Sequence, residues 1–188
     1  MADSRCIAVF GGSFNPPHIA HQLACLYVLE TQPVDEVWLV PCYRHPFEKQ
    51  LASFADRMEM CRLAMKPFAA RVVVSDVERE VGGEVSRTLV TLQALAAKNP
   101  GASFRLVIGG DILVEAEKWW CWDEVARLAP PLVVGRAGYP APGGGTTLVE
   151  LPAVSSTDIR CRCARGQDIS ALVSRTVAHY IASQGLYA

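Results

Sequence analysis

The chain has 188 residues, with 18 Lys and Arg against 19 Asp and Glu, a net charge of −1 and 51% apolar residues. That length fits one domain with a sizeable core, and 20% charged residues beside so much apolar content excludes disorder over most of the chain. Near-zero net charge excludes a general electrostatic pull toward nucleic acid or membrane, so anionic ligands must be met by locally placed charges.

The first apolar run, Cys6 to Phe10, is too short for a signal-peptide core or a membrane span, and no later stretch reaches spanning length without charge. The expected address is the cytoplasm, where seven cysteines with no CxxC pair read as free thiols. Cys161 and Cys163 read as small hydrophobes rather than metal ligands.

Cys6 to Phe10 reads as a buried strand entering a tight loop at Gly11 and Gly12. Apolar residues recur at helical spacing from Ile19 to Glu30, and 35–41 reads as a second strand. A polar, proline-containing loop runs from Cys42 to about Ser53, followed by a helix over Phe54 to Met65 and a strand over Arg71 to Val74. Residues 86–98 read as a helix and Phe104 to Ile108 as a strand, with 112–128 helical in parts. Leu132 to Val134 and Leu148 to Leu151 read as short strands flanking a glycine- and proline-rich loop, 136–146. The tail, Ser170 to Ser183, has amphipathic helical spacing.

Strands and helices alternate throughout, with no internal repeat and no linker. The expected architecture is α/β, a Rossmann-like, doubly wound, mostly parallel sheet with helices on both faces, in one domain spanning 1–188. In such sheets ligands bind beyond the carboxyl ends of the strands, near the point where strand order reverses. The loops after Phe10, Val40, Ile108 and Leu151 are therefore where chemistry is sought.

The first of these loops reads GGSFNPPHIAHQ. Gly11 and Gly12 allow a tight turn and close approach of amides to a phosphate. Pro16 and Pro17 end the loop where a helix begins. His18 and His21, three apart, then share one face of its first turn, where unpaired amides and the positive end of the dipole favour an anion. Imidazoles so placed stabilise charge developing on phosphate oxygens during nucleotidyl transfer. A metal reading of this pair lacks a third ligand nearby. The loop is neither a Walker sequence nor GxGxxG, which argues against a dehydrogenase.

His18-Ile19-Ala20-His21 resembles the (Thr/His)-x-Gly-His motif of the nucleotidylyltransferase superfamily, with Ala20 in the glycine position. GGSFNP resembles the stretch preceding that motif in the nicotinate-nucleotide adenylyltransferase family. IGGDILVEAEKWWCW resembles that family's Gly-x-Asp segment with its tryptophan, here Gly109, Asp111 and Trp119. VSSTDIR resembles its Ile-Ser-Ser-Thr-x-Ile-Arg, and the sequence from Ile159 to the end resembles its carboxyl terminus. The motifs occur in the expected order over nearly the whole chain.

The resemblance implies adenylyl transfer from ATP to nicotinate mononucleotide, giving nicotinate adenine dinucleotide and pyrophosphate in NAD biosynthesis. It implies His18 and His21 at the reacting centre. Gly11, Gly12, Ser13, Phe14, Lys49, Arg136, Ser155, Ser156, Thr157 and Arg160 would lie on ATP, with 154–188 completing its site. Asn15, Arg87, Thr88, Gly109, Asp111 and Trp119 would lie on the mononucleotide, Asp111 on a ribose hydroxyl and Trp119 stacked on the pyridine ring. Mg²⁺ would arrive with ATP, and exposed aromatics with the helical tail are compatible with a homodimer. Core packing is the competing reading for at least two of Trp119, Trp120 and Trp122.

Two departures bear on the substrate. The family's Pro-Pro-His-Lys appears as His45-Pro46-Phe47-Glu48-Lys49, and its Ser-Tyr-Thr-x-Asp-Thr-Leu as Ser86-Arg87-Thr88-Leu89-Val90-Thr91-Leu92. Arg87 would pair with the nicotinate carboxylate, favouring acid over amide; a solvated surface arginine is the equal alternative. The rivals are the same transfer to nicotinamide mononucleotide or another phosphorylated acceptor, and a nucleotide-binding module without turnover.

Overall fold

The computed structural model describes residues 5–44, 51–116, 118–135 and 151–188, with Asp111 and Val114 described by their backbone alone. Five strands form one sheet: β1 (Cys6–Gly12), β2 (Glu36–Pro41), β3 (Val72–Val74), β4 (Ser103–Gly109) and β5 (Pro131–Val134). Their order is β3-β2-β1-β4-β5, and every pairing is parallel. Strand order reverses at β1, so the ligand crevice of such a sheet opens beyond the carboxyl ends of β1 and β4.

Among the described residues, six α-helices lie between the strands and two follow the last one, and together they cover both faces. They are α1 (Ile19–Thr31), α2 (Phe54–Met65), α3 (Val77–Val81), α4 (Thr88–Lys98), α5 (Gly110–Ala116), α6 (Trp122–Leu128), α7 (Ser156–Ala164) and α8 (Arg175–Gln184). Because both faces are covered, the strands are apolar on both sides instead of alternating. Ala8, Val37, Leu39 and Val107 face a core built with α1, α2, α7 and α8, including Val28, Met60, Ile159 and Val177. Ile7, Val9, Val40, Leu106 and Ile108 face a second core with α4 and α6, including Leu92, Leu95 and Val125.

Local chemistry sets the helix ends. Ser53, Ser155 and Ser174 cap α2, α7 and α8, each hydroxyl accepting a backbone N–H three residues on. Such a cap contributes about 1 kcal/mol. Gly185 ends α8 in the left-handed region at φ 60°, which lets the Leu186 N–H return to the Ile181 carbonyl.

Three features differ from the sequence expectation. The turn is not at Gly11 and Gly12: both remain in β1, paired with Val40 and Pro41, and the left-handed residue is Phe14, at φ 45°. The helix expected from 86 starts at Thr88, and the tail helix starts only at Arg175, behind its Ser174 cap. The short α3 and a 3₁₀ stretch at Lys66–Arg71 were not expected, being too brief to show a helical period. No helix among the described residues is long and apolar enough to cross a membrane.

Candidate active site

The site begins where β1 gives way to α1. Phe14 is buried, with its ring edge-on to Phe10 at 5.6 Å and to His21 at 5.0 Å. A Cβ on Gly12 would stand 3.1 Å from Phe14 Cζ, so the glycine is needed for room. A Cβ on Gly11 would meet none of the described residues within 4 Å.

His18 is the N-cap of α1 and His21 is its third helical residue. The two rings stack at 3.7 Å with 26° between their planes. The His18 backbone N–H donates to His21 Nδ1 at 3.1 Å. An accepting Nδ1 carries no proton, so neutral His21 holds its proton on Nε2. The capping bond thus selects the tautomer and orients the ring at a helix mouth.

The carboxyl-terminal third closes on this loop. Ser156 Oγ donates to the Pro16 carbonyl at 2.8 Å, and Arg160 Nη1 donates to the Asn15 carbonyl at 2.9 Å. Arg160 Nη2 also donates to Thr157 Oγ1 at 3.3 Å, while the Ile19 N–H donates to the Leu172 carbonyl. The imidazole pair and VSSTDIR, far apart in sequence, therefore meet. Of the three hydroxyls Ser155, Ser156 and Thr157, Ser155 is the one that caps α7, accepting from the Asp158 N–H at 3.1 Å.

Sequence reasoning missed Arg57. It is 2% exposed, donating from Nη1 to the Ser13 carbonyl and from Nε to the Ala52 carbonyl. Its guanidinium also lies over the Phe54 ring, 5.5 Å from the centroid. Burial pulls its pKa below the usual arginine value. In FADRMEM an arginine reads as the wet face of an amphipathic helix; a loop carbonyl waiting inside leaves no mark in that pattern. Tyr187 was missed as well. Its hydroxyl donates to Asn15 Oδ1 at 2.7 Å, and burial pushes its pKa up.

At the other end of the crevice, Thr88 opens α4 and Arg87 is its N-cap. The Ser86 N–H donates to the Arg44 carbonyl, and the Arg44 N–H to Ser86 Oγ at 3.1 Å. Those bonds tie the segment to the chain beyond β2. Arg87 reaches the opposite way and sits over the Trp120 ring, 4.8 Å from its centroid. A cavity of about 400 Å³ opens beside it, lined by Glu78, Gly83, Ser86, Arg87 and Thr91 among others. Trp120 is 52% exposed, whereas Trp119 is half-buried, edge-on to Trp122 and packed on the second core. Gly109 is the last residue of β4, paired with Val134. Lys49 and Arg136 lie outside the described residues, as does the Asp111 side chain.

Among the described residues, no group of three or more His, Cys, Asp or Glu side chains could hold a metal ion. The arrangement offers donors instead: two imidazoles, a helix mouth and hydroxyls at the start of α7.

Residues 9–162 match the family described as cytidylyltransferase-like. The chain is 51% identical over 189 residues to a protein named probable nicotinate-nucleotide adenylyltransferase from Anaeromyxobacter dehalogenans (strain 2CP-C), covering 100% of this chain and 99% of that one. A relative of the same name from Myxococcus xanthus (strain DK1622) is 41% identical, across 96% of this chain and 94% of its own length. The fold is similar to that of a nicotinic acid mononucleotide adenylyltransferase from Plasmodium falciparum, solved in complex with NaAD, with a TM-score of 0.81 over 97% of both chains. At 17% identity that likeness speaks for the fold alone.

Proposed function

The chain belongs to the nicotinate-nucleotide adenylyltransferases of the cytidylyltransferase-like family, and on that premise we propose that it transfers the adenylyl group of ATP to nicotinate mononucleotide. The products are nicotinate adenine dinucleotide and pyrophosphate. The observation that carries this reading is the meeting of the stacked His18–His21 pair with the Ser156–Arg160 segment around one loop.

The reaction is an in-line displacement. A phosphate oxygen of the mononucleotide forms a bond to the α-phosphorus of ATP, and the bond from that phosphorus to the bridging oxygen of pyrophosphate breaks. No nucleophilic side chain is needed. His21 offers its Nε2–H, and His18 its ring, to the α- and β-phosphate oxygens. Ser13, Phe14 and Gly12 supply the backbone around them, and Gly11 leaves room for the phosphates to approach. The first turn of α7, with Ser155, Ser156 and Thr157, receives the leaving phosphates, assisted by Arg160, Lys49 and Arg136. Fixed donors aimed at developing charge accelerate the step by positioning and electrostatics.

Mg²⁺ would be held by ATP oxygens and water, since the described residues offer no carboxylate cage, and it would supply charge neutralisation on the phosphates. Asn15, Thr88, Gly109, Asp111 and Trp119 belong to the mononucleotide end in this reading. All seven cysteines are free thiols, which suits a reducing compartment such as the cytoplasm.

A panel of phosphorylated acceptors with ATP, read by pyrophosphate release, tests the proposal. Highest kcat/KM with nicotinate mononucleotide supports it. Preference for the amide mononucleotide or another acceptor would replace the substrate, and no turnover with any acceptor would leave a nucleotide-binding module.

A further inference from the structure

Phe14, a bulky residue, sits at φ 45°, a region such residues rarely adopt, so the loop around it must be held by its surroundings. The holders form a continuous chain of hydrogen bonds. Arg57 donates to the Ser13 carbonyl at 2.9 Å and to the Ala52 carbonyl at 3.1 Å. The Ala52 N–H donates to Asn15 Oδ1 at 3.0 Å, and the Tyr187 hydroxyl donates to the same oxygen at 2.7 Å. Asn15 is fully buried and its Nδ2 has no partner among the described residues, so the described hydrogen bonds of its side chain run through Oδ1.

Tyr187 is the penultimate residue of the chain. It reaches Asn15 because Gly185 and Tyr187 both take left-handed backbone, at φ 60° and 65°, turning the chain end back after α8. The phenol joins residues 172 positions apart. Its side chain also packs on the first core, so the clasp is held by packing as well as by the hydrogen bond.

We propose that Tyr187 is a positioning residue for the adenylyl-transfer step, clasping Asn15 from the chain terminus so that the 13–18 loop presents His18 and His21 in the geometry the reaction needs. The clasp rests on the function proposed above, because its output is turnover at that loop. It acts through Asn15 and touches no reacting atom. Its phenol keeps its proton, hence its donor role, over the working pH range, since burial raises the pKa.

The test is a double-mutant cycle on the full-length protein: Tyr187→Phe, Asn15→Leu and both together, assayed by pyrophosphate release well below the melting temperature. The acceptor is whichever member of the panel the unmodified chain turns over fastest. Tyr187→Phe should lower kcat by about tenfold, as expected for a small misplacement of reacting groups. The double variant should lose no more than Asn15→Leu alone, because Asn15→Leu already removes the Tyr187 hydrogen bond along with that from Ala52. Removal of Tyr187 and Ala188 should reproduce the Tyr187→Phe loss or exceed it.

Unchanged kcat in Tyr187→Phe, with only a lower melting temperature, overturns the proposal and leaves Tyr187 a packing residue. Multiplying losses in the double variant also overturn it, since the phenol then acts elsewhere than on Asn15. Failure of the functional reading shows separately, as an unmodified chain that prefers an acceptor other than nicotinate mononucleotide.

Discussion

At the reacting end, residues 13–19 receive or give hydrogen bonds to Ala52, Arg57, Ser156, Arg160, Leu172 and Tyr187. At the end proposed for the pyridine ring, residues 82–87 are tied back by two hydrogen bonds between Ser86 and Arg44, and Arg87 reaches onto one indole. The first end is over-determined, with partners 140 to 172 positions away in sequence. Among the described residues the second has fewer long-range hydrogen bonds. Transfer to phosphorus depends steeply on the positions of donors and nucleophile, whereas recognition of a ring substituent tolerates adjustment. The contrast predicts that changes at the first end cost turnover and that changes at the second alter choice of substrate.

The largest effect is expected at His21. His21→Ala removes the donor proposed for the α-phosphate, and loss of one such donor typically costs on the order of 100-fold or more in kcat. The stack on His18 and the capping bond go too, but the sheet is untouched, so circular dichroism should be unchanged. Turnover near that of the parent chain would detach the imidazole pair from the chemistry.

The two glycines separate room inside the protein from room for a substrate. Gly12→Ala presses a methyl group to 3.1 Å from the Phe14 ring, which is buried and edge-on to His21. Displacement of Phe14 passes directly to His21, so kcat should fall about tenfold and the melting temperature should drop as well. Gly11→Ala meets none of the described residues. It should leave the melting temperature unchanged and raise the KM for ATP several-fold, on the order of one lost backbone–phosphate contact. A lower melting temperature in Gly11→Ala, or an unchanged one in Gly12→Ala, would show that this division is wrong.

The same contrast explains what the sequence made legible. Apolar runs such as Cys6–Phe10 and the helical spacing of 19–30 and 54–65 located the sheet and its covering helices, because burial on both faces writes itself into composition. His18, His21 and VSSTDIR were legible because their residue types are those that phosphate chemistry needs. Arg57 and Tyr187 were not. Each acts through a hydrogen bond to a distant partner, Arg57 to Ser13 44 positions away and Tyr187 to Asn15 172 positions away, and no local pattern encodes a long-range donor. Placing the turn at Gly11 and Gly12 failed for a related reason. Glycine there leaves space beside Phe14, and the left-handed residue is held by tertiary contacts that override its own preference.

The smallest and most discriminating prediction concerns Arg87. Its guanidinium sits over the Trp120 ring, beside the cavity that includes Glu78 and Ser86, at the start of α4. An exposed arginine–indole contact contributes about 0.5–1 kcal/mol, enough to hold the side chain in one place but not to bury it. Held there, the planar fork would meet a carboxylate through two parallel hydrogen bonds, and a carboxamide oxygen less well. Arg87→Ala should therefore lower the ratio of kcat/KM for nicotinate over nicotinamide mononucleotide by about fivefold, the scale of a partly exposed ion pair. Arg87→Lys keeps the charge but not the fork and should recover only part of that ratio. Trp120→Ala removes the platform and should lower it by about twofold, through disorder of the guanidinium rather than loss of its charge. Measuring the three variants with both mononucleotides separates the roles. A ratio unmoved by Arg87→Ala would make the pair a surface contact without a part in substrate choice. A ratio that falls in Trp120→Ala as far as in Arg87→Ala would make the indole, stacked directly on the pyridine ring, the true determinant.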